Sequence, residues 1–174
     1  MNSIITRNGL WSALFLVGLF VLPLLFTGIP EPGDFAISEA IGYTSILLSL
    51  IFVIIGMKQY REDNGGLLSY WKAVKTGLLI AIFPAIAFGL YNLIYVEIID
   101  PDFMTKYAEH SINVRTEGKT AEEAEAIRQA VMQEQKMFES PVIQFIVMFL
   151  TVFVMGTIVS LISAFFVKKS PATA

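Results

Sequence analysis

Charged side chains interrupt this chain unevenly. Four stretches carry none: residues 8–30 (23 residues), 40–57 (18), 76–96 (21) and 140–167 (28). A water-soluble helix alternates an apolar stripe with a polar face. These runs are apolar all round, and every one of the 27 charged residues lies between or beyond them. A helix needs roughly 20 apolar residues to cross a ~30 Å hydrocarbon core. The first, third and fourth runs meet that length, and the second meets it by borrowing Phe35 to Ser38. The pattern predicts four transmembrane helices near 8–30, 38–57, 74–96 and 141–167. No run alternates residue by residue as a barrel strand would. The first run is too long for a signal peptide, and Thr27-Gly28-Ile29-Pro30-Glu31 lacks a small-residue cleavage pattern, so it reads as a retained helix.

Between the third and fourth runs, residues 100–139 read as a helical hairpin. Asp100-Pro101-Asp102 resembles a helix start, with Asp100 as cap. Phe103, Tyr107 and Val114 recur along a first helix, and Gly118 suits the turn. Thr120 and Glu123 are spaced as a capping box, and Ile127 and Val131 continue an apolar stripe on a second helix. Ser140-Pro141 then opens the fourth span. The stripe through Ile127 and Val131 is the candidate surface for docking a partner, unless packing within the hairpin consumes it.

Lys and Arg in the short flanks set orientation. Arg7 precedes the first span; residues 30–39 carry no base, only Glu31, Asp34 and Glu39. Lys58, Arg61, Lys72 and Lys75 fall between the second and third spans, and Lys168 and Lys169 follow the fourth. Both termini are therefore expected in the cytoplasm and the hairpin outside. The inner side then carries seven basic and two acidic residues, the outer side five and thirteen. Trp11, Tyr60, Tyr70 and Trp71 fall near the inner interface, and Tyr43, Tyr91 and Tyr95 near the outer one, depths that amphipathic rings favour.

Helices in lipid associate through close backbone approach at small residues. Gly77, Ala81, Ala85 and Gly89 are spaced four apart on the third span, and Gly156, Ser160 and Ala164 on the fourth. Gly42, Ser45 and Ser49 offer a similar face on the second. These faces are expected to meet inside the bundle; the alternative uses are a homodimer seam or a cavity wall. Pro84 should kink the third span.

Composition narrows the chemistry. The chain has no cysteine and one histidine, His110. That excludes disulfides, thiolate nucleophiles, bis-histidine haem and multi-histidine zinc within one chain. A net charge of -3 argues against a nucleic-acid partner. Glu97, Asp100, Asp102, Glu109 and His110 cluster beyond the third span, where oxygen donors suit Ca²⁺ or Mg²⁺. Helix capping and a solvated acidic face explain them more simply, so no metal and no cofactor is expected. Asp63-Asn64-Gly65-Gly66 is a turn without the lysine of a phosphate loop. Lys58, Arg61, Lys72 and Lys75 are candidate contacts for anionic lipid at about 1 kcal/mol each, though topology alone accounts for them. Asn92 and Gln144 are the strongest polar groups within the apolar runs and are placed to bond across helices. No ionisable side chain lies deep in a span, as ion-coupled transport usually requires. No zinc-protease motif or nucleophile elbow occurs, and an enzyme is not expected.

Several short motifs carry a resemblance along nearly the whole chain. They are Gly56-Met57-Lys58-Gln59-Tyr60-Arg61, then Gly66-Leu67-Leu68-Ser69-Tyr70-Trp71-Lys72-Ala73 into Gly77, and Asp100-Pro101-Asp102-Phe103. A proline opening the fourth span and Gly156 followed by Ser160-Leu161-Ile162-Ser163-Ala164 complete the set. With these the chain resembles an uncharacterised family of small bacterial inner-membrane proteins, domain of unknown function forty-one ninety-nine. Tyr70 and Asp100 stand where that pattern would have Phe and Asn. The resemblance implies a multi-pass protein of the inner (cytoplasmic) membrane and brings no catalytic residues.

The expectation is a single all-α integral membrane domain over 1–174: four transmembrane helices, with an extracytoplasmic helical hairpin between the third and fourth. Its expected role is a scaffold or accessory subunit for a membrane or periplasmic protein. The alternative is a small channel or transporter subunit acting as a homo-oligomer.

Overall fold

A computed structural model describes residues 2–169. The placement of Met1 and residues 170–174, and with it the expected side of the two chain ends, lies outside the described residues. Among the described residues seven α-helices follow one another: α1 (Asn2–Thr27), α2 (Phe35–Ser49), α3 (Ile51–Asp63), α4 (Tyr70–Ile94), α5 (Phe103–Thr116), α6 (Ala121–Met137) and α7 (Pro141–Val167). Among the described residues there is no strand, only an isolated antiparallel bridge between Leu68 and Lys169. Of the described residues, four helical stretches are long and apolar enough to cross a membrane: Ser3–Thr27, Pro32–Asp63, Tyr70–Ile99 and Pro141–Val167. Large apolar side chains cover their outward faces, including Leu14, Phe26, Ile41, Val154 and Phe166. Apolar surface on that scale is not left facing water by a soluble monomer.

The helices outrun the uncharged stretches. α1 begins before Arg7, α3 continues through Lys58 and Arg61, and α4 begins ahead of Lys72 and Lys75. Lys and Arg are good helix formers, so charge ends an apolar run without ending the helix.

The second span departs from its expected single helix: it breaks at Leu50 into α2 and α3. The Val53 N–H reaches the Leu50 carbonyl at 3.0 Å. The Ser49 carbonyl accepts the Ser12 hydroxyl of α1 at 2.7 Å, and the Ser49 hydroxyl donates to the Ile46 carbonyl at 2.7 Å. A side chain from a neighbouring helix has entered the backbone ladder, a recognised cause of helix breaks. The break seats Leu50, fully buried, 3.4 Å from where a side chain on Gly156 would start.

α4 is the central helix, packed along α7 and α1 and helical through the buried Pro84. α3 packs on α1, α4 and α7, whereas α2 leans chiefly on α1. Leu16, Leu50, Val53, Met57, Ile80, Ala81, Ala85 and Val152 form the core. The last turn of the third span widens into a π-helix, Tyr95–Ile99, closed by the Asp100 N–H on the Tyr95 carbonyl at 2.8 Å.

α5 begins at Phe103, and the expected capping role of Asp100 is not observed. The residue before the helix is Asp102, whose side chain makes no cap hydrogen bond; the Phe103 N–H instead reaches the Asp100 backbone carbonyl at 3.0 Å. The turn after α5 contains Gly118 at φ +72°, a left-handed conformation that favours glycine. At the start of α6 the capping box forms as its spacing predicts. The Thr120 hydroxyl accepts the Glu123 N–H at 3.3 Å, and the Glu123 carboxylate accepts the Thr120 N–H at 2.9 Å. That backbone hydrogen bond, with the Thr120 hydroxyl, holds the Glu123 carboxyl below its ordinary range. α5 and α6 lie side by side, with Arg115 3.3 Å from Glu134. Ser140 and Pro141 do open α7, but the Ser140 side chain makes no cap hydrogen bond.

Candidate functional site

The small residues of α4 and α7 face one another. Ala81, Ala85, Ser160 and Ala164 are fully buried. A Cβ on Gly156 would lie 2.6 Å from the Ala81 Cβ; one on Gly89 would lie 2.7 Å from the Phe145 ring and 3.2 Å from the Phe145 carbonyl oxygen. A Cβ on Gly77 would run into the Met57 methyl and the Ser160 hydroxyl. Side chains and backbone fill this seam, and Ser160 turns its hydroxyl onto the Gly156 carbonyl at 2.7 Å. Gly9 and Gly56 belong to the same packing, beside Phe83 and beside Ile80 with Asn8. Neither was among the expected packing positions, although Gly56 opens a quoted motif. The available signal was glycine inside a helix, which costs about 1 kcal/mol against alanine unless close packing needs it.

Polar groups within the spans are satisfied locally. Thr76, Thr151 and Thr157 donate to carbonyls one turn back. Asn92 and Gln144 meet across α4 and α7 at 3.4 Å as expected, and Gln144 also donates to the Phe138 carbonyl at 2.6 Å.

At the far end of α4 lie Glu97, Asp100, Asp102, Glu109 and His110, expected to serve in capping and a solvated acidic face. Among the described residues no three His, Asp or Glu side chains are placed to hold a metal ion. Asp100 is buried, 4% exposed, and its Oδ1 accepts from Lys106 Nζ at 2.9 Å. Its Oδ2 has no hydrogen-bond partner among the described residues. The bond to Asp100 pulls the Lys106 ammonium above its ordinary pKa, and the charges of Asp100, Glu31 and Asp102 act in the same direction. His110 lies edge-on to Phe35 with ring centres 5.3 Å apart. Phe35 also packs on Phe103 (5.7 Å) and Tyr107 (5.9 Å), and Phe103 meets Tyr95 (5.3 Å). Tyr95 continues to Tyr91 and on to Phe20. Rings from α1, α2, α4 and α5 and the turn after α4 thus form one seam. Burial among them raises the Tyr107 phenol above its ordinary value.

The expected docking stripe turns out to be internal packing. Val131 is 3% exposed and Ile127 half-buried, because α6 lays this face against α5. The exposed apolar side chains of α6 are Met132 and Met137, and Gln129, Met132, Gln133 and Lys136 line a shallow open depression.

The opposite end of the bundle is basic. Arg7 and Asn8 of α1 both donate to Gln59 Oε1 of α3, at 2.9 and 2.8 Å. Arg61 donates to the Val167 carbonyl at the end of α7 at 3.2 Å. Leu68 and Lys169 exchange two backbone hydrogen bonds, 2.9 and 2.8 Å, which clasp the exit of α7 to the loop before α4. Lys168 stands 4.3 Å over the Phe165 ring. Lys58, Lys72 and Lys75 are exposed and Arg61 half-buried.

Four spanning-length apolar helices packed through small residues define a multi-span helical bundle. Residues 7–169 match the family model described as protein of unknown function (DUF4199), and the chain belongs to that family. No curated protein and no solved structure matches it.

Proposed function

We propose that this chain is a non-enzymatic multi-pass protein of a bacterial inner membrane, with both termini in the cytoplasm. In this reading α5 and α6 form an extracytoplasmic hairpin that docks a membrane or periplasmic partner. The supporting observation is the junction of α5 with the bundle. The Asp100–Lys106 pair and the packing of Phe35 on Phe103, Tyr107 and His110 hold the helical pair in place. An anchored platform presents a surface without the ordering penalty a loose segment would incur on binding. Its surface is mostly acidic, with Glu109, Glu117, Glu122 and Glu125 exposed, which suits a basic partner. The channel reading gains less support, because the polar side chains of the spans are engaged with helix backbone.

Co-purification from native membranes tests the proposal. The comparison uses the parent chain and a Met132→Glu, Met137→Glu variant, both positions being exposed on α6. Loss of a stoichiometric partner from a folded variant supports docking there. A partner retained in full, or none recovered with the parent, overturns it.

A further inference from the structure

We propose that the corner formed by the end of α3, the loop before α4 and the end of α7 is a binding site for the headgroup phosphate of an anionic phospholipid. The inference rests on the reading that the four apolar helices span a bilayer. Arg61, Lys168 and Lys169 come from distant parts of the chain and are gathered by two backbone contacts. Arg61 is fixed to the last carbonyl of α7 at 3.2 Å, and Lys169 is pinned by its paired hydrogen bonds with Leu68. A guanidinium has five N–H donors, so one bond to Val167 leaves others for a phosphate oxygen. Arg61 is half-buried, and Lys168 and Lys169 are exposed.

The surroundings of the corner have the profile of a lipid. Phe165 and Phe166 are exposed just below it, at 62% and 78%, suited to acyl chains. Lys168 places its ammonium 4.3 Å from the centre of the Phe165 ring, so a cation sits directly at the edge of this apolar surface. Trp71, three residues beyond Leu68 and 73% exposed, packs edge-on against Tyr70, whose hydroxyl donates to the Leu161 carbonyl of α7 at 3.3 Å. Exposed indole rings favour headgroup depth. Lys58, Lys72 and Lys75 are isolated surface charges by comparison, and their role is the diffuse field that sets topology.

The two roles separate in a quenching experiment. The chain has two tryptophans, so a Trp11→Phe background leaves Trp71 as sole reporter. The full chain is reconstituted into phosphatidylcholine vesicles containing a fixed fraction of brominated phosphatidylglycerol or brominated phosphatidylcholine. The parent should be quenched more strongly by the anionic lipid. Arg61→Gln with Lys169→Gln should lower the relative affinity about tenfold or more, since two phosphate contacts are lost. Lys72→Gln with Lys75→Gln removes the same charge and should change it less than about threefold. Lys169→Gln alone keeps the backbone clasp and serves if the double variant misfolds; it should account for about half the effect on a logarithmic scale. Equal losses in both double variants, no preference in the parent, or competition by millimolar inorganic phosphate would each overturn the site. No quenching by either lipid would instead sink the bilayer-spanning reading.

Discussion

At the α3 end of the bundle, Gly56, Gly77 and Gly156 allow helices to approach until Ile80, Met57 and Ala81 fill the space a side chain would need. At the α2 end, a Cβ on Gly42 would lie 3.4 Å from its nearest neighbour, the Phe20 ring, and α2 leans chiefly on α1. Rings, the ion pair of buried Asp100 with Lys106 and the close approach of Gly89 to Phe145 hold that second end together. The break at Leu50 divides the two regimes. Close backbone packing tolerates no added volume, whereas ring contacts can slide and re-tilt. α3 is therefore held against its neighbours more closely than α2 is.

Substitutions at glycine should expose that contrast most strongly. Gly156→Leu should lower the melting temperature in detergent so far that little folded protein is recovered, because even its Cβ would sit 2.6 Å from the Ala81 Cβ. Gly42→Ala should shift the melting temperature by no more than a degree or two, since its Cβ would make ordinary contact. Similar losses at both positions would erase the distinction.

Next in size is Lys106→Met, which leaves the Asp100 carboxylate buried without its cation. Hydrogen exchange in α5 should rise while α4 and α7 stay protected. The same ion pair sets a pH dependence. The folded-state pKa of Lys106 is raised, so its contribution is complete below lysine's ordinary value and is lost as pH rises through the folded value. Exchange in α5 should increase in strongly alkaline buffer in the parent and show no such step in Lys106→Met.

Ser12→Ala should cost about 1 kcal/mol by leaving the Ser49 carbonyl without its donor. The loss should fall on α2 and α3 together, read as faster amide exchange around residues 49–53. An unchanged exchange pattern would mean the break does not depend on α1.

Most local is Thr120→Ala, about 1 kcal/mol of helix stability confined to the start of α6, with nothing lost in the bundle. Glu123 has a lowered pKa, so its contribution is complete above the ordinary carboxylate range and is lost as pH falls through the folded value. Fraying of residues 121–124 should therefore appear in acid in the parent and already at neutral pH in the variant.

The helices were readable because stretches long and apolar enough to cross a bilayer segregate charge so completely, and small-residue spacing marked the faces of α4 and α7 on which Ala81 and Gly156 meet. The break at Leu50 was not readable. Neither proline nor glycine marks it, and its partner, Ser12, lies 37 residues away on another helix. Asp100 misled because Asp-Pro-Asp has the form of a helix cap, while its burial depends on Lys106 and the π-turn. Val131 carried the right apolar period, but period cannot say whether a stripe meets a partner or α5. The clasp of Leu68 with Lys169 is a two-residue backbone pairing across the chain and leaves no pattern to find.

Thiol labelling tests the central claim, that α5 and α6 stand on the side of the membrane opposite the basic α3–α4 loop. The chain contains no cysteine, so single probes need no background changes. Lys119→Cys places a thiol in the turn between α5 and α6, and Glu62→Cys places one on the exposed end of α3. With a membrane-impermeant maleimide applied to intact spheroplasts, Lys119→Cys should label at once and Glu62→Cys only after the membrane is opened. Labelling of Glu62→Cys alone would invert the topology, and labelling of both in intact spheroplasts would contradict a four-span arrangement.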